Sequence, residues 1–343
     1  MKIGGFDTDR AVLIIAEIGN NHEGSYVLAE ELIGRAAEAG ADAVKFQSIV
    51  PEKLVSPKEV DRLAQLRRFS LSNEQMEKLK GVADRAGVLF LSTPFALESV
   101  QFLNKLVPAF KISSGDNNFL PLIAAIAETT KPIILSAGLA TIEEIKIVRN
   151  FIFDIWDRKG VSHDELAILH CIVNYPTSNS DANLLFIRAL ETLGVTVGYS
   201  DHTVGIKAAL LSVALGARIV EKHFTISKDY SDFHDHKISA DPKDMAELTQ
   251  GVRETLEMLG DGQKRIIKSE EINLKKVRRS IVAARPLPEG HSICMEDLIW
   301  VRPKMDDGLE PGQESLIINK KLNKDLSEGD LILVENLNAK ENT

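Results

Sequence analysis

His202 and His223 end two consecutive apolar runs, in the tripeptides SDH and EKH. If those runs are adjacent barrel strands, the imidazoles meet across about 5 Å. Two imidazoles with open positions suit a divalent transition ion such as manganese, iron or zinc. Two separately hydrogen-bonded histidines are the alternative. Lys45, Lys111 and Lys222 each interrupt an apolar run, and a buried ammonium is costly unless paired. Three roles are open to them: internal salt bridges to Glu17, Asp201 or Glu221, an anion site for phosphate and carboxylate, or a Schiff-base amine. EIGNNHEG, at 17–24, offers Glu17 as a general acid or base, with Asn20, Asn21 and His22 as a hydrogen-bonded turn. The stretch YSDFHDHKISADP, at 230–242, is too polar for core. It is expected to cover a mouth, with His234, Asp235, His236 and Lys237 turned to substrate.

These residues need elements to hold them. Eight short β-branched runs, at 12–19, 41–47, 88–94, 109–115, 132–138, 165–171, 195–201 and 217–224, alternate with helix-sized amphipathic segments. Continuously apolar strands imply a sheet covered on both faces, hence a parallel one. Eight βα units in about 260 residues fit a (β/α)8 TIM barrel better than an open sheet. Nearly every run turns polar at its C-terminal end, where a barrel gathers its active site. The reading is a catalytic barrel over 1–262, a polar linker over 263–276 and a small β-rich domain over 277–343.

Composition bounds the partners. The 343 residues are 44% hydrophobic and 27% charged, an ordinary globular balance. The charge sum, 41 − 50 = −9, repels phosphate backbones and anionic lipid, so nucleic acid and membrane are not expected. Cys171 and Cys294 make no disulfide framework and read as reduced core thiols. No apolar leader and no run of 18 apolar residues occurs, so the cytoplasm is the expected compartment.

AEIGNNHEG, AVKFQ, LSTPF, KISSGD, PIILSAG, LHCIVNYP, GYSDHTVG, EKHFT and DHKISADP follow in order, each at a strand end. In these the sequence resembles the sialic acid (N-acetylneuraminate) synthase family over nearly the whole chain. The tail, from RRSIVAARPLPEGHSICMEDLIWVRP to LSEGDLI, is similar to the antifreeze-like (SAF) domain of those enzymes. The resemblance implies condensation of phosphoenolpyruvate with an open-chain N-acetylated hexosamine, giving a nine-carbon 2-keto acid and phosphate by C–O cleavage. It implies a divalent metal on His202 and His223, with Mn2+ ahead of Mg2+ and Co2+, and Gln47 beside it. Lys45, Thr93, Lys111, Ser114, Tyr175 and Ser200 would bind phosphoenolpyruvate, and Glu17 would handle the proton. Asp116 and Asp235 would hold sugar hydroxyls. Arg302 would reach the N-acetyl group of sugar in the partner subunit of a domain-swapped homodimer.

This chain departs from the family pattern at Val173, where a small polar residue is usual. Asp116 replaces a commoner glutamate, and VRPKMDDG replaces RPG-x-G after Arg302. Its DHK-x-S-x-x-P loop is the form of sialic and legionaminic synthases rather than pseudaminic ones. The rival readings are N,N'-diacetyllegionaminate or another 2-keto sugar acid synthase, a class I aldolase, or a non-catalytic sugar-binding member.

Overall fold

A computed structural model describes residues 1–338 in two units, Met1–Gly260 and one that begins at Asp261. Eight parallel strands build the first: β1 Leu13–Gly19, β2 Ala43–Ser48, β3 Leu89–Pro94, β4 Phe110–Ile112, β5 Ile133–Ser136, β6 Leu166–Cys171, β7 Thr196–Asp201 and β8 Ile219–His223. The ladder runs from β3 through β2, β1, β8, β7, β6 and β5 to β4. No paired residues join β3 to β4 among those described, so this TIM barrel is nearly closed. β4 is only three residues long before the chain turns into a 3-10 segment, Ser114–Asp116, which leaves it little backbone to pair.

Side chains alternate across each strand, so one parity faces the barrel axis and the other the helices. Leu13, Ile15, Ala43, Leu91, Ala109, Ile134, Leu169 and Ile219 form the inner core, sealed below by Met1 and Ile3. The opposite parity, including Ile14, Val44, Phe46, Phe90, Phe110 and Val220, packs on the surrounding helices. One helix is Ile142–Lys159, whose capping box pairs Thr141 with Glu144 and whose end is Gly160 at φ 69°. Continuing the inner parity upward gives Glu17, Lys45, Gln47, Thr93, Lys111 and Ser136, then Cys171, Ser200, Glu221 and His223. A polar upper layer therefore stands directly on an apolar lower one.

Lys222 has the wrong parity for that layer. It is fully enclosed against the helices, with Nζ 3.0 Å from Asp201 Oδ2 on the neighbouring strand. The expected group of three lysines is thus two, and Lys222 takes the salt-bridge role.

In the second unit, β9 Ser280–Ala283 pairs antiparallel with β10 Leu298–Val301. Isolated bridges such as Leu287 with Leu326 and Leu322 with Leu337 fold the chain over a core of Ile281, Ile293, Leu298, Ile317 and Ile332. Asp297 is enclosed at the centre, accepting from Arg285 at 2.6 Å, His291 at 2.7 Å and the Cys294 amide at 2.9 Å. Cys294 is therefore not a core thiol; it is half-buried with Sγ 3.1 Å from Asp297. The stretch read as linker carries a helix, Lys268–Val277, none of whose residues is buried. Its acidic first turn and basic last turn suit the helix dipole, which supports it without a buried face. Among the described residues no helix is long and apolar enough to cross a membrane.

Candidate active site

The polar upper layer lines a cavity of about 330 Å3 at the C-terminal mouth of the barrel. Lys45, on β2, sets Nζ 2.6 Å from Glu17 Oε2 on β1 and 3.7 Å from Glu221 Oε2 on β8. Lys111, on β4, donates to Ser136 Oγ at 2.7 Å and lies 3.9 Å from Glu221 Oε1. Ser200 donates to the same Glu221 oxygen at 2.9 Å. The salt-bridge reading therefore holds for these two lysines, and both line the cavity.

Their electrostatics differ. Burial pushes Lys45 down, but Glu17 and Glu221 outweigh it and hold the ammonium above its ordinary value. Burial wins at Lys111, which is lowered. Burial also dominates at Glu17, whose carboxyl is pushed up to about 7 against the pull of Lys45. At Glu221 burial is outweighed by Lys111 and Lys45, which hold the carboxyl down. Gln47 Nε2 donates to Glu17 Oε1 at 3.3 Å, and Asn20 Nδ2 donates to Gln47 Oε1 at 3.0 Å.

The rings of His202 and His223 lie 5.4 Å apart by centroids, on adjacent strand ends. His202 Nδ1 meets the Ile172 carbonyl at 2.7 Å, so that nitrogen carries a proton. Burial pushes the ring down, but Cys171, the Ile172 carbonyl and Glu221 outweigh it and hold it above its ordinary value. Nε2 is the nitrogen left for an ion in place of a proton. Tyr175 covers His202 at 4.2 Å between ring centres. His223 Nδ1 is buried without a hydrogen-bond partner. Burial, reinforced by His202 and Lys45, holds His223 well below its ordinary value, so it is neutral. Among the described residues no three His, Cys, Asp or Glu are grouped to hold an ion. The pair fits a divalent ion that takes two ligands from this cavity and the rest from water or substrate.

Thr93, Ser114 and Asp235 also line the cavity. Asp116 does not. Ser113 Oγ donates to its Oδ2 at 2.7 Å, which draws the carboxylate into its own 3-10 turn. Arg302 belongs to the second unit, at the end of β10. Of the 230–242 cluster, His234 and Asp235 face the cavity. His236 is turned away and fully buried, and Lys237 is exposed outside it. His22 is a turn residue whose Nδ1 accepts from the Gly24 amide at 3.0 Å.

Sequence reasoning missed several wall residues. Cys171 is buried and outside any disulfide as expected, but it also lies in the cavity wall with Sγ 3.8 Å from His202 Nδ1. Its inner parity, two residues after Leu169, was the available signal. Asn20 was assigned only to a turn. Arg62 arrives on an excursion whose path no periodicity encodes, and Phe233 comes with the 230–242 loop that was expected to cover the mouth.

The fold and this polar layer define a TIM-barrel protein with its ionisable groups gathered at the catalytic end, followed by a small β unit. Residues 32–264 match the NeuB family and residues 278–338 the SAF domain. The chain belongs to the NeuB family. It is 40% identical over 330 residues, 94% of each chain, to an uncharacterized protein of Methanocaldococcus jannaschii. It is 37% identical over 344 residues to the N,N'-diacetyllegionaminic acid synthase of Legionella pneumophila, covering 95% of this chain and 94% of that one. The crystal structure of N-acetylneuraminic acid (sialic acid) synthetase from Leptospira borgpetersenii superposes with a TM-score of 0.72 at 33% identity. That match covers 80% of this chain and 92% of the other.

Proposed function

We propose that this chain joins phosphoenolpyruvate to the aldehyde of an open-chain N-acetylated hexosamine. C3 of phosphoenolpyruvate bonds to the aldehyde carbon and the aldehyde oxygen takes a proton. Water adds at C2, and phosphate leaves by C–O cleavage as the C2 ketone forms. Lys45 and Lys111, with hydroxyls of Thr93, Ser114 and Ser200, receive the phosphate and carboxylate. Glu17, near half-protonation at neutral pH, moves the proton. Gln47 holds the Glu17 carboxyl in place. His202 and His223 would hold a divalent ion, Mn2+ foremost, which when bound polarises the aldehyde. Asp235 grips the sugar hydroxyls. Val173 leaves one side of the phosphate pocket apolar. Arg302 completes the sugar site across a swapped homodimer, by family correspondence.

The observation that supports this most is the shared cavity of Glu17, Lys45, Lys111, His202 and His223. Phosphate release is the test, with phosphoenolpyruvate, Mn2+ and a panel of N-acetylmannosamine, its 6-phosphate and a diacetamido trideoxyhexose. Release with none of them would remove the reading. A class I aldolase is the second reading, because burial lowers Lys111 toward the neutral amine that Schiff-base chemistry needs. Borohydride with pyruvate would trap Lys111 in that case and leave the synthase unlabelled.

A further inference from the structure

Asp235 reaches the cavity from a loop that has only one short helical turn, Asp235–Ile238. The next residue, His236, points the opposite way and is fully buried. Its Nδ1 lies 2.6 Å from Thr225 Oγ1 and its Nε2 lies 3.1 Å from Glu23 Oε1. A carboxylate only accepts, so Nε2 carries the proton between them. Ser231 Oγ donates to the same Glu23 oxygen. Glu23 sits in the β1 turn at φ 46°, a left-handed conformation that a non-glycine residue keeps only where its surroundings over-determine it.

Two further ties join the same pieces. Asn21 Nδ2 donates to Phe224 O at 2.8 Å and to Ser239 Oγ at 2.9 Å. Phe233 stands edge-on to Phe69 at 5.1 Å. Gly24, at φ 84°, brings the turn so close to the helix Val60–Phe69 that a Cβ would lie 2.0 Å from Arg68 O. The β1 turn is therefore the fixed post to which the 230–239 loop is fastened.

We propose that Glu23 and His236 form a positioning latch that sets the sugar-facing side of the cavity. It holds the 230–239 loop on the β1 turn so that Asp235 meets the amino sugar. Neither residue touches a substrate. The proposal rests on the synthase reading for the identity of that sugar. The phosphoenolpyruvate side is independent of the latch, because Lys45, Lys111 and Ser200 stand on strands and not on the loop. Opening the latch must therefore harm one substrate and spare the other. A pair that only stabilised the fold would harm both or neither.

The test uses Glu23→Ala, Glu23→Gln, His236→Ala and the double alanine variant of the full chain. Amide exchange over 230–239 and the two substrate constants are read together. Expected for Glu23→Ala is exchange about tenfold faster in that loop and a roughly tenfold higher sugar KM, the scale of one charge-assisted bond. The phosphoenolpyruvate KM stays within about twofold on the same reasoning. Glu23→Gln recovers most of the loss, since its Oε1 still accepts from Nε2. The double variant falls short of the product of the two singles, because the Glu23–His236 bond is lost in each of them. Should His236→Ala not fold, the two Glu23 variants carry the test, as Glu23 is partly solvated. Unchanged exchange, a joint rise of both constants, or multiplying effects in the double variant would each overturn the latch. If the wild type releases no phosphate with any sugar, the synthase reading falls, and the exchange arm still decides whether the loop is latched.

Discussion

Lys45 and Lys111 are both buried beside Glu221, yet they are pushed in opposite directions. The cause is distance. Lys45 has Glu17 at 2.6 Å, whereas the nearest carboxylate to Lys111 is 3.9 Å away. Lys111 is the less neutralised cation and gains most from an incoming anion. Lys111→Ala should raise the phosphoenolpyruvate KM about 10- to 150-fold, the scale of a charge-assisted contact, with a smaller effect on sugar. An unchanged constant would make Lys111 purely structural. His202→Ala should abolish turnover while near-UV and far-UV circular dichroism match the wild type. Normal turnover of that variant with metal chelated away would remove the metal assignment. Glu17 offers a pH test. Its folded value, about 7, lies above its ordinary 4.5, so the neutral acid is the form that folding favours. That contribution is whole below pH 4.5 and is lost as pH rises through about 7. Glu17→Gln should flatten this segment of the stability–pH curve from chemical denaturation. It should also remove the matching limb of the activity profile.

Among the elements, β7 shows how tightly the barrel is drawn. A Cβ on Gly198 would lie 2.4 Å from both Ile219 O and Leu169 Cδ2. Gly198→Ala should therefore lower the urea midpoint by the equivalent of about 1–3 kcal/mol, as overpacking does. A midpoint equal to wild type would mean the strands can part there at no cost. The eight strands were legible because each is an apolar run of strand length, and their polar ends marked the mouth. The helix Lys268–Val277 was not legible. It lacks a buried face, so the apolar periodicity that signals a helix is missing. The loop 230–242 was legible as cover but not in its detail, since adjacent residues diverge: Asp235 lines the cavity and His236 is buried away from it.

At the scale of the whole molecule, the barrel unit and the SAF unit each have their own apolar core. Ending the chain after Gly260 should therefore leave a folded barrel that makes no product. Circular dichroism and phosphate release check the two halves of that statement. The swapped dimer is tested by mixing Arg302→Ala and His202→Ala, each inactive or nearly so, unfolding them together and refolding. Mixed dimers should regain activity, because one of their two sites then holds both intact residues. No recovery, with mixed dimers confirmed by mass, would place Arg302 in its own subunit's site or in none.

Strand identity, barrel class and the roster of ionisable strand-end residues were determined by the sequence, because hydrophobic burial imposes a local period on the chain that can be read without coordinates. Parity along each strand separates the strand-end residues that turn inward from Lys222, which faces the helices and takes the salt bridge to Asp201 that was one of its open roles. What the tertiary structure alone decided is which charges meet. Glu17, Lys45 and Glu221 come from three strands, and the opposite shifts of Lys45 and Lys111 follow from separations between those strands. The same holds for Glu23 and His236, 213 positions apart in the chain and joined by one hydrogen bond. Coulomb energies and hydrogen bonds depend on distance and burial in space, and neither quantity is carried by residue order.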